Sequence, residues 1–306
     1  MTSLYRNKTT FQKMNYRKLG KSNLKISEIS FGCMSLEPDA NQNKKLIHKA
    51  LDQGINFFDT ADLYEKGENE IRVGKALKEN RKEIIIATKV GNQWREDGNG
   101  WDWNPKKEYI LKAVDKSLRR LQTDYIDLYQ LHGGTIEDPI DETIEAFEIL
   151  QKQGKIRYYG ISSIRPNVIR KWIEHSKIVS VMKQYSVLDR RPEEECLALL
   201  QKNKIGVLAR GTLAKGLLAG KPADSYLDYT ETEVESILET IQKEISPDSI
   251  SDAAIRFVLQ HPAITSAVVG FRTESQLSEI LKALETDTDI ASFSKNIPIK
   301  TYKKHR

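Results

Sequence analysis

Residues 55–89 read INFFDTADLYEKGENEIRVGKALKENRKEIIIATK, and this stretch contains one complete structural unit. It begins with the apolar run INFFD (55–59), continues with an amphipathic segment over 69–80 and ends with the apolar run IIIATK (84–89). Short apolar runs bounded by turn residues indicate buried strands, whereas apolar residues three or four positions apart indicate a helix. The stretch therefore predicts a strand, a helix and a second strand.

The same alternation continues along the chain from Ile29 onward. Eight strand candidates separated by helical patterns predict a parallel sheet, and eight such units close into a (β/α)8 or TIM barrel. The alternative is an open doubly wound sheet, but no strand candidate is followed by Gly-x-Gly-x-x-Gly. The other strand candidates are residues 29–34, 126–132, 157–162, 179–184, 205–210 and 266–270, and the other helical patterns are 43–54, 108–121, 141–153, 167–175, 193–203 and 274–284.

Two long loops interrupt the short connections that such units usually have. The first, residues 91–104, follows the third strand and contains Trp94, Trp101 and Trp103. The second follows the seventh strand over residues 211–230. Both follow strand ends, so both are expected at the mouth of the barrel, where active sites are built. The tryptophans are candidates for an aromatic wall around a substrate, although packing against neighbouring helices explains them equally well.

Composition excludes several classes of protein. Apolar residues make up 39% of the 306 residues, and no uncharged apolar run approaches the roughly 18 residues that a membrane span requires. The two cysteines, Cys33 and Cys196, are far apart in the sequence and belong to no Cys/His cluster. This pattern predicts no disulfide framework and no metal site, and it favours a cytoplasmic location.

Positive charge is concentrated at the two ends of the chain. Residues 1–27 and 295–306 hold twelve of the 48 Lys and Arg residues and no acidic residue, so the rest of the chain is net acidic. An acidic body argues against a nucleic-acid surface. The N-terminal stretch lacks the apolar region of a targeting peptide. We expect a disordered extension over 1–15, a barrel over 16–290 and a basic tail over 291–306.

Reactive side chains end consecutive strands. Asp59 ends the second strand, Lys89 the third and His132 the fourth, and Tyr64 lies five residues after Asp59. Each alone has an ordinary structural explanation. Because the carboxyl ends of barrel strands share one rim, however, the four side chains are expected to converge.

The four residue types together match the requirements of carbonyl reduction. A phenol gives a proton to the carbonyl oxygen as hydride reaches carbon, and a neighbouring ammonium favours release of that proton. A carboxylate holds the ammonium in place, and an imidazole orients the carbonyl and donates a hydrogen bond to it. The sequence therefore predicts Asp59, Tyr64, Lys89 and His132 as catalytic residues.

These motifs resemble those of the aldo-keto reductase family over residues 16 to about 284. The segment beginning with DTADLY (59–64) is similar to the family signature, IIIATK supplies the family lysine and IDLYQLH (126–132) the histidine. The opening YRKLGKSNLKISEISFGCMS (16–35) is similar to the family's N-terminal β-hairpin and first strand. The resemblance implies hydride transfer from a nicotinamide cofactor to a small-molecule carbonyl substrate, without a metal.

The resemblance also implies a set of cofactor-binding residues at the strand ends and in the two loops that follow strands seven and eight. Ser162, Ser163 and Gln184 fall at the nicotinamide carboxamide, GTLAKGLL (211–218) at the pyrophosphate and GFRTESQLSE (270–279) at the adenosine. The implied cofactor-binding residues are Gly32, Cys33, Met34, Ser162, Ser163, Gln184, Arg210, Gly211, Leu213, Lys215, Gly216, Gly270, Arg272, Thr273, Gln276 and Glu279.

The sequence departs from the family pattern at several of these positions. Ser163 replaces an asparagine, Arg210 an aromatic residue that faces the nicotinamide, and Ile280 an asparagine that contacts adenine. Gly133 and Gly134 follow the histidine in place of bulkier residues.

Arg272 indicates which nicotinamide is used. A guanidinium at the start of a helix suits the 2′-phosphate of NADPH, and no acidic residue stands between Gly270 and Thr273 to accept the hydroxyl of NADH. We therefore expect NADPH, with NADH weaker.

Two other functions remain open. A regulatory or channel-associated subunit of the same fold would bind the cofactor with little turnover. A barrel lyase would use Lys89 as a Schiff-base nucleophile, although the pairing of Asp59 with Tyr64 gives it little support. Since every candidate site residue belongs to one barrel, a monomer or weak oligomer would be sufficient for activity.

Overall fold

A computed structural model describes residues 14–246, 249–285, 294 and 296–306. The strands are β1 (Tyr16–Lys18), β2 (Lys25–Ser27), β3 (Ile29–Gly32), β4 (Phe57–Asp59), β5 (Ile85–Val90), β6 (Asn92–Trp94), β7 (Trp101–Trp103), β8 (Ile126–Leu131), β9 (Ile156–Ser162), β10 (Ser180–Gln184), β11 (Gly206–Arg210) and β12 (Ile264–Val269). The helices are α1 (Ala40–Asp52), α2 (Glu68–Leu77), α3 (Lys107–Leu121), α4 (Ile140–Lys152), α5 (Pro166–His175), α6 (Cys196–Lys202), α7 (Glu231–Glu244), α8 (Ile250–Gln260) and α9 (Glu274–Lys282).

The central sheet is a closed barrel of eight parallel strands. Its order is β10, β11, β12, β3, β4, β5, β8 and β9, and the pairing of β9 with β10 closes it. The prediction of a (β/α)8 barrel is confirmed, and the open doubly wound alternative is wrong. All eight predicted strands form, with bounds that differ from the predicted ones by up to two residues. The eight strands are buried, which explains why they appear in the sequence as apolar runs rather than as alternating patterns.

The N-terminal hairpin of β1 and β2 closes the amino-terminal end of the barrel. Leu19, Leu24 and Ile26 are buried and share one cluster with residues of the barrel strands, such as Phe57 and Met182. Gly20 has a φ of +54°, and a Cβ there would lie 2.8 Å from the backbone nitrogen of Gly206. The hairpin therefore seals the end of the barrel opposite to the predicted site.

The helices pack around the barrel through their apolar faces, which form one large cluster with the outer faces of the strands. The pattern over 193–203 becomes a 3-10 turn (Arg191–Glu194) followed by α6, because Pro192 starts the turn and the helix proper begins at Cys196. The loop after β11 leads into two helices, α7 and α8, and forms a second apolar cluster with them.

Both described ends of the chain pack on the barrel. Residues 1–13 of the expected extension lie outside the described residues, but Met14 is buried and Asn15 donates a hydrogen bond to Glu28. In the basic tail, ion pairs join Lys300 to Glu233, Lys303 to Asp228 and Arg306 to Glu194.

Tyr302 anchors this tail. Its ring is buried, and the ammonium of Lys183 and the guanidinium of Arg191 lie 5.1 and 5.3 Å from its centroid.

Both described cysteines are unpaired and buried. Within the described ranges, every helix is too short or too polar to span a bilayer.

Tyr302→Ala is expected to lower the free energy of unfolding by about 3 kcal/mol, because it removes a buried ring and the cation–π contact with Lys183. Ile299→Ala, at a half-exposed position on the same tail, should change it by less than about 0.5 kcal/mol. Urea unfolding of both variants checks this. Equal stabilities would mean that the tail does not contribute to the folded barrel.

Candidate active site

The four predicted catalytic residues meet at the carboxyl end of the barrel. Asp59 is the last residue of β4, Lys89 lies near the end of β5 and His132 directly follows β8. These three strands are neighbours in the sheet. Tyr64 begins a 3-10 turn (Tyr64–Gly67) in the loop after β4. The structure therefore places the four side chains on adjacent strands and on one loop, as their spacing predicts.

Lys89 is the centre of this group. Its Nζ lies 2.6 Å from Oδ2 of Asp59, 2.7 Å from the carbonyl oxygen of Thr60 and 3.2 Å from the hydroxyl of Tyr64. An ammonium has three N–H donors, so each donor has one acceptor. The hydroxyl oxygen of Tyr64 accepts a hydrogen bond from Lys89, and its own proton is directed elsewhere.

The charge of Lys89 is fixed by its surroundings. The side chain is buried, which by itself lowers the pKa of the ammonium, but its interactions with Asp59 and Tyr64 together outweigh burial and raise the pKa above its ordinary value. Lys89 is therefore a cation at neutral pH. A buried cation of this kind requires paired and hydrogen-bonded partners, which this site provides.

His132 stands edge-on to Tyr64, with ring centroids 5.8 Å apart and an interplanar angle of 83°. Burial, followed by the positive charges of Lys89 and Arg210, lowers the pKa of His132 to about 3. Its Nδ1 is buried and makes no hydrogen bond within the described residues. The ring is therefore neutral over the physiological range, so that one nitrogen carries a proton and the other does not.

The loop that carries Tyr64 is held by buried polar contacts. Glu70, at the start of α2, accepts hydrogen bonds from Thr88 and from Arg120, each at 2.6 Å. Thr60 donates to Asn69, which in turn donates to the carbonyl oxygen of Cys33. These contacts connect the loop to β5, to α3 and to the turn after β3, and so fix the position of Tyr64.

Sequence reasoning missed two polar residues that support the site. Gln130 on β8 donates to Oδ1 of Asp59 at 3.3 Å, and the amide of Asn92 lies 3.4 Å from the carbonyl oxygen of His132. Gln130 precedes His132 by two positions, and residues two apart lie on one face of a strand. That spacing was a signal in the sequence that Gln130 faces the site. Asn92 had no comparable signal, because it lies on β6, within the stretch that the sequence predicts only as a long loop.

The residues predicted to bind the nicotinamide end the neighbouring strands. Ser162 ends β9, Gln184 ends β10 and Arg210 ends β11, so they extend the same rim. Arg210 donates to Oε1 of Gln184 at 3.0 Å, and the amide of Gln184 donates to the hydroxyl of Tyr226 at 3.2 Å. The backbone N–H of Ser163 is bonded to Met182. Tyr226, which sequence reasoning missed, brings the loop after β11 over this rim.

The predicted pyrophosphate residues lie in a tight turn after β11. Gly211, Lys215 and Gly216 have φ values of +70°, +58° and +98°, and Leu213 precedes the turn. Successive N–H groups form concave anion-binding sites where a right-handed residue is followed by a left-handed one, as Leu213 is followed by Ala214 here. Two strands away in the barrel, Gly32 ends β3, and Cys33 and Met34 follow it in a 3-10 turn. Cys33 is fully buried and Met34 is exposed.

The predicted adenosine residues surround the start of α9. Gly270 follows β12, Thr273 caps the helix through Gln276 N, and Gln276 Oε1 accepts from the backbone of Arg272. Arg272, Gln276 and Glu279 are exposed, whereas Ile280 is buried and packs in the core. Glu37, which sequence reasoning missed, forms an ion pair with Arg272.

The three tryptophans lie in or beside a hairpin of β6 and β7, in which Trp94 pairs with Trp101. Trp94 donates to the carbonyl oxygen of Leu63, next to Tyr64, and Trp103 donates to Asp138. A Cβ on Gly133, next to His132, would lie 3.4 Å from the ring of Trp103. Trp101 is half exposed. Trp94 and Trp103 therefore border the site, and a role in substrate binding stays a prediction.

No cluster of three or more His, Cys, Asp or Glu side chains suited to a metal occurs in the described part of the chain.

A comparison with known families matches residues 28–296 to the aldo/keto reductase family. The chain belongs to the aldo-keto reductases. It is an NAD(P)H-dependent oxidoreductase with the TIM-barrel fold of that family.

Individual relatives agree with this assignment. The aldo-keto reductase is 48% identical to an uncharacterized oxidoreductase, YqkF, of Bacillus subtilis, over 96% of this chain and 100% of the relative. The holo form of the aldo-keto reductase AKR11C1 from Bacillus halodurans is 47% identical, with a TM-score of 0.90 and coverage of 96% and 99%. A probable voltage-gated potassium channel subunit beta of Arabidopsis thaliana is 29% identical, with coverage of 89% and 92%.

The lowered pKa of His132 predicts a dependence of stability on pH. Between about pH 6.5, the ordinary value for histidine, and about pH 3, the unfolded chain binds a proton at this position that the folded chain does not. Acidification through this window therefore destabilises the fold. Between pH 7 and pH 4, the wild type should lose about 3 kcal/mol more of its unfolding free energy than His132→Gln.

Urea unfolding at both pH values measures this difference. His305→Gln, which changes an exposed histidine on the tail, is the control and should follow the wild type. If the wild type and His132→Gln lose the same amount of unfolding free energy, His132 is protonated in the folded state.

Proposed function

We propose that the chain reduces aldehydes or ketones to alcohols with NADPH, and that Tyr64 is the proton donor. The observation that carries the proposal is the set of three hydrogen bonds made by Lys89. Because Lys89 donates to the hydroxyl oxygen of Tyr64, the single hydrogen of that hydroxyl is available to an oxygen at the barrel mouth. The nearby ammonium favours the negative charge that forms on the phenol as its proton leaves.

The residues at the mouth fit a nicotinamide dinucleotide. Ser162 and Gln184 offer a hydroxyl and an amide at the strand ends, Gly211 to Gly216 offer backbone N–H groups and a lysine, and Arg272 stands at the start of α9. When bound, the reduced cofactor supplies the hydride. The Arg210 guanidinium, held against Gln184, would place a positive charge near the nicotinamide, which disfavours the oxidised, positively charged ring.

His132 orients the substrate in this scheme. A neutral imidazole donates a hydrogen bond to the carbonyl oxygen without competing for the proton that Tyr64 gives. Asp59 holds Lys89, and Gln130 in turn holds Asp59. Trp94 and Trp103 border the site, and we propose that they form an apolar wall for the substituents of the carbonyl. Measuring NADPH consumption with a panel of aldehydes and ketones defines which substituents this wall accepts.

A second candidate function is a cofactor-binding regulatory subunit with little turnover. The similarity to a probable potassium channel subunit beta favours it. Steady-state NADPH consumption with 4-nitrobenzaldehyde or methylglyoxal separates the two functions: sustained turnover supports the reductase, whereas cofactor binding without turnover supports the subunit.

We also propose a cytoplasmic location, in agreement with the two unpaired cysteines.

Tyr64→Phe is expected to retain NADPH binding and to lower turnover at least about a hundredfold, because it removes the hydroxyl that gives the proton. The control is Tyr125→Phe. Tyr125 lies just before β8, at the opposite end of the barrel, with its ring against Arg81. Steady-state kinetics together with fluorescence titration of NADPH check both variants. A Tyr64→Phe enzyme with near wild-type turnover would exclude Tyr64 as the donor.

Arg272→Ala is expected to weaken NADPH binding by about 2 kcal/mol, the range for a charge-assisted hydrogen bond. It should leave NADH binding nearly unchanged, because NADH has a hydroxyl in place of the 2′-phosphate. Both cofactors should be titrated against both proteins at one ionic strength, since salt screens this contact. A parallel loss for the two cofactors would show that Arg272 does not contact the 2′ position.

A further inference from the structure

Arg272 is already engaged by an acidic residue from another loop. Its Nε lies 2.9 Å from Oε1 of Glu37 and 3.3 Å from the carbonyl oxygen of Ser35. Both side chains of the ion pair are half exposed, with 62% of the Arg272 side chain and 49% of the Glu37 side chain accessible. The carboxylate of Glu37 therefore stands beside the guanidinium at the surface of the barrel mouth.

The barrel itself brings the two residues together. Glu37 follows β3 and Arg272 follows β12, and these strands are neighbours in the sheet. The hydroxyl of Ser35 donates to the carbonyl oxygen of Phe271 at 2.9 Å, which joins the two loops. The carbonyl oxygen of Glu37 accepts a hydrogen bond from the side chain of Asn43. Since this contact uses the backbone, the loop keeps its position when the Glu37 side chain is changed.

We propose that Glu37 is a specificity-determining residue that competes with the 2′-phosphate of NADPH for Arg272. The inference rests on the proposed function, which places that phosphate at Arg272. In the free protein, the carboxylate of Glu37 is paired with the guanidinium of Arg272. When NADPH binds, this carboxylate places a negative charge near the 2′-phosphate, whose own charge is close to −2. The carboxylate also offers an acceptor for the ribose hydroxyl of NADH. Glu37 therefore narrows the preference for NADPH over NADH that Arg272 alone would give.

The exposure of the ion pair sets the expected change in cofactor affinity. A solvent-exposed ion pair contributes up to about 1 kcal/mol, which corresponds to about fivefold in affinity. Glu37→Gln should therefore tighten NADPH binding about fivefold and change NADH binding less than about twofold, with NADH weakened if it changes at all. The affinities are measured by fluorescence titration of each reduced cofactor at low ionic strength, without any substrate.

The control is Glu274→Gln. Glu274 is an exposed carboxylate in the first turn of α9, so its removal changes the net charge by the same amount in the same region. It should change the NADPH to NADH affinity ratio by less than about twofold. Equal tightening by Glu37→Gln and Glu274→Gln would mean a general charge effect and would overturn the inference.

The double variant tests whether Glu37 acts through Arg272. In the Arg272→Ala background, Glu37→Gln should tighten NADPH binding less than about twofold, because the guanidinium that it would release is absent. A fivefold effect that persists in this background would overturn the proposed competition.

The titrations also separate this inference from the proposed reduction. NADPH binding with the expected Glu37 effect but no turnover would refute the reductase and support the inference. A wild type that turns over with NADPH, and whose NADPH affinity Glu37→Gln leaves unchanged, would overturn the inference alone. If the wild type binds neither cofactor, both fail.

Discussion

The ammonium of Lys89 is buried at the carboxyl end of the barrel, and the rest of the site is arranged around it. A buried charge is costly unless its donors are paired, and here Asp59, the backbone of Thr60 and Tyr64 accept all three. The same pairing that makes the cation tolerable inside the protein also holds the hydroxyl oxygen of Tyr64 beside the ammonium. It also contributes to keeping His132 neutral, because the positive charge disfavours protonation of the ring.

Long-range contacts preserve this arrangement against the mobility that loops usually have. The loop of Tyr64 is bound through Glu70 to Thr88 and Arg120, and Trp94 bonds to the residue before Tyr64. These contacts come from three different parts of the chain. A site on a loop thereby acquires the positional accuracy that catalysis requires.

The cofactor side of the mouth depends in a similar way on distant segments. Tyr226 joins the loop after β11 to Gln184, and Tyr229 in the same loop donates to the carbonyl oxygen of Pro298 in the tail. The basic tail therefore packs against the loop predicted to bind the pyrophosphate. Its positive charge is used in ion pairs with acidic residues of the barrel, which accounts for a basic segment on an otherwise acidic body.

The sequence by itself determined the eight strands, their closure into a barrel and the four catalytic candidates. Strand periodicity is local, and parallel topology requires that residues such as Asp59, Lys89 and His132 share one rim. Of the supporting residues, Gln130 is indicated by its spacing from His132, whereas the others were decided only by tertiary structure. Glu37 and Tyr226 reach the site from loops whose paths depend on packing, and Met14 and Tyr302 join the core from stretches with no periodic pattern. Local patterns specify which face of a strand or helix is buried, whereas contacts between loops depend on the distances that the closed barrel sets.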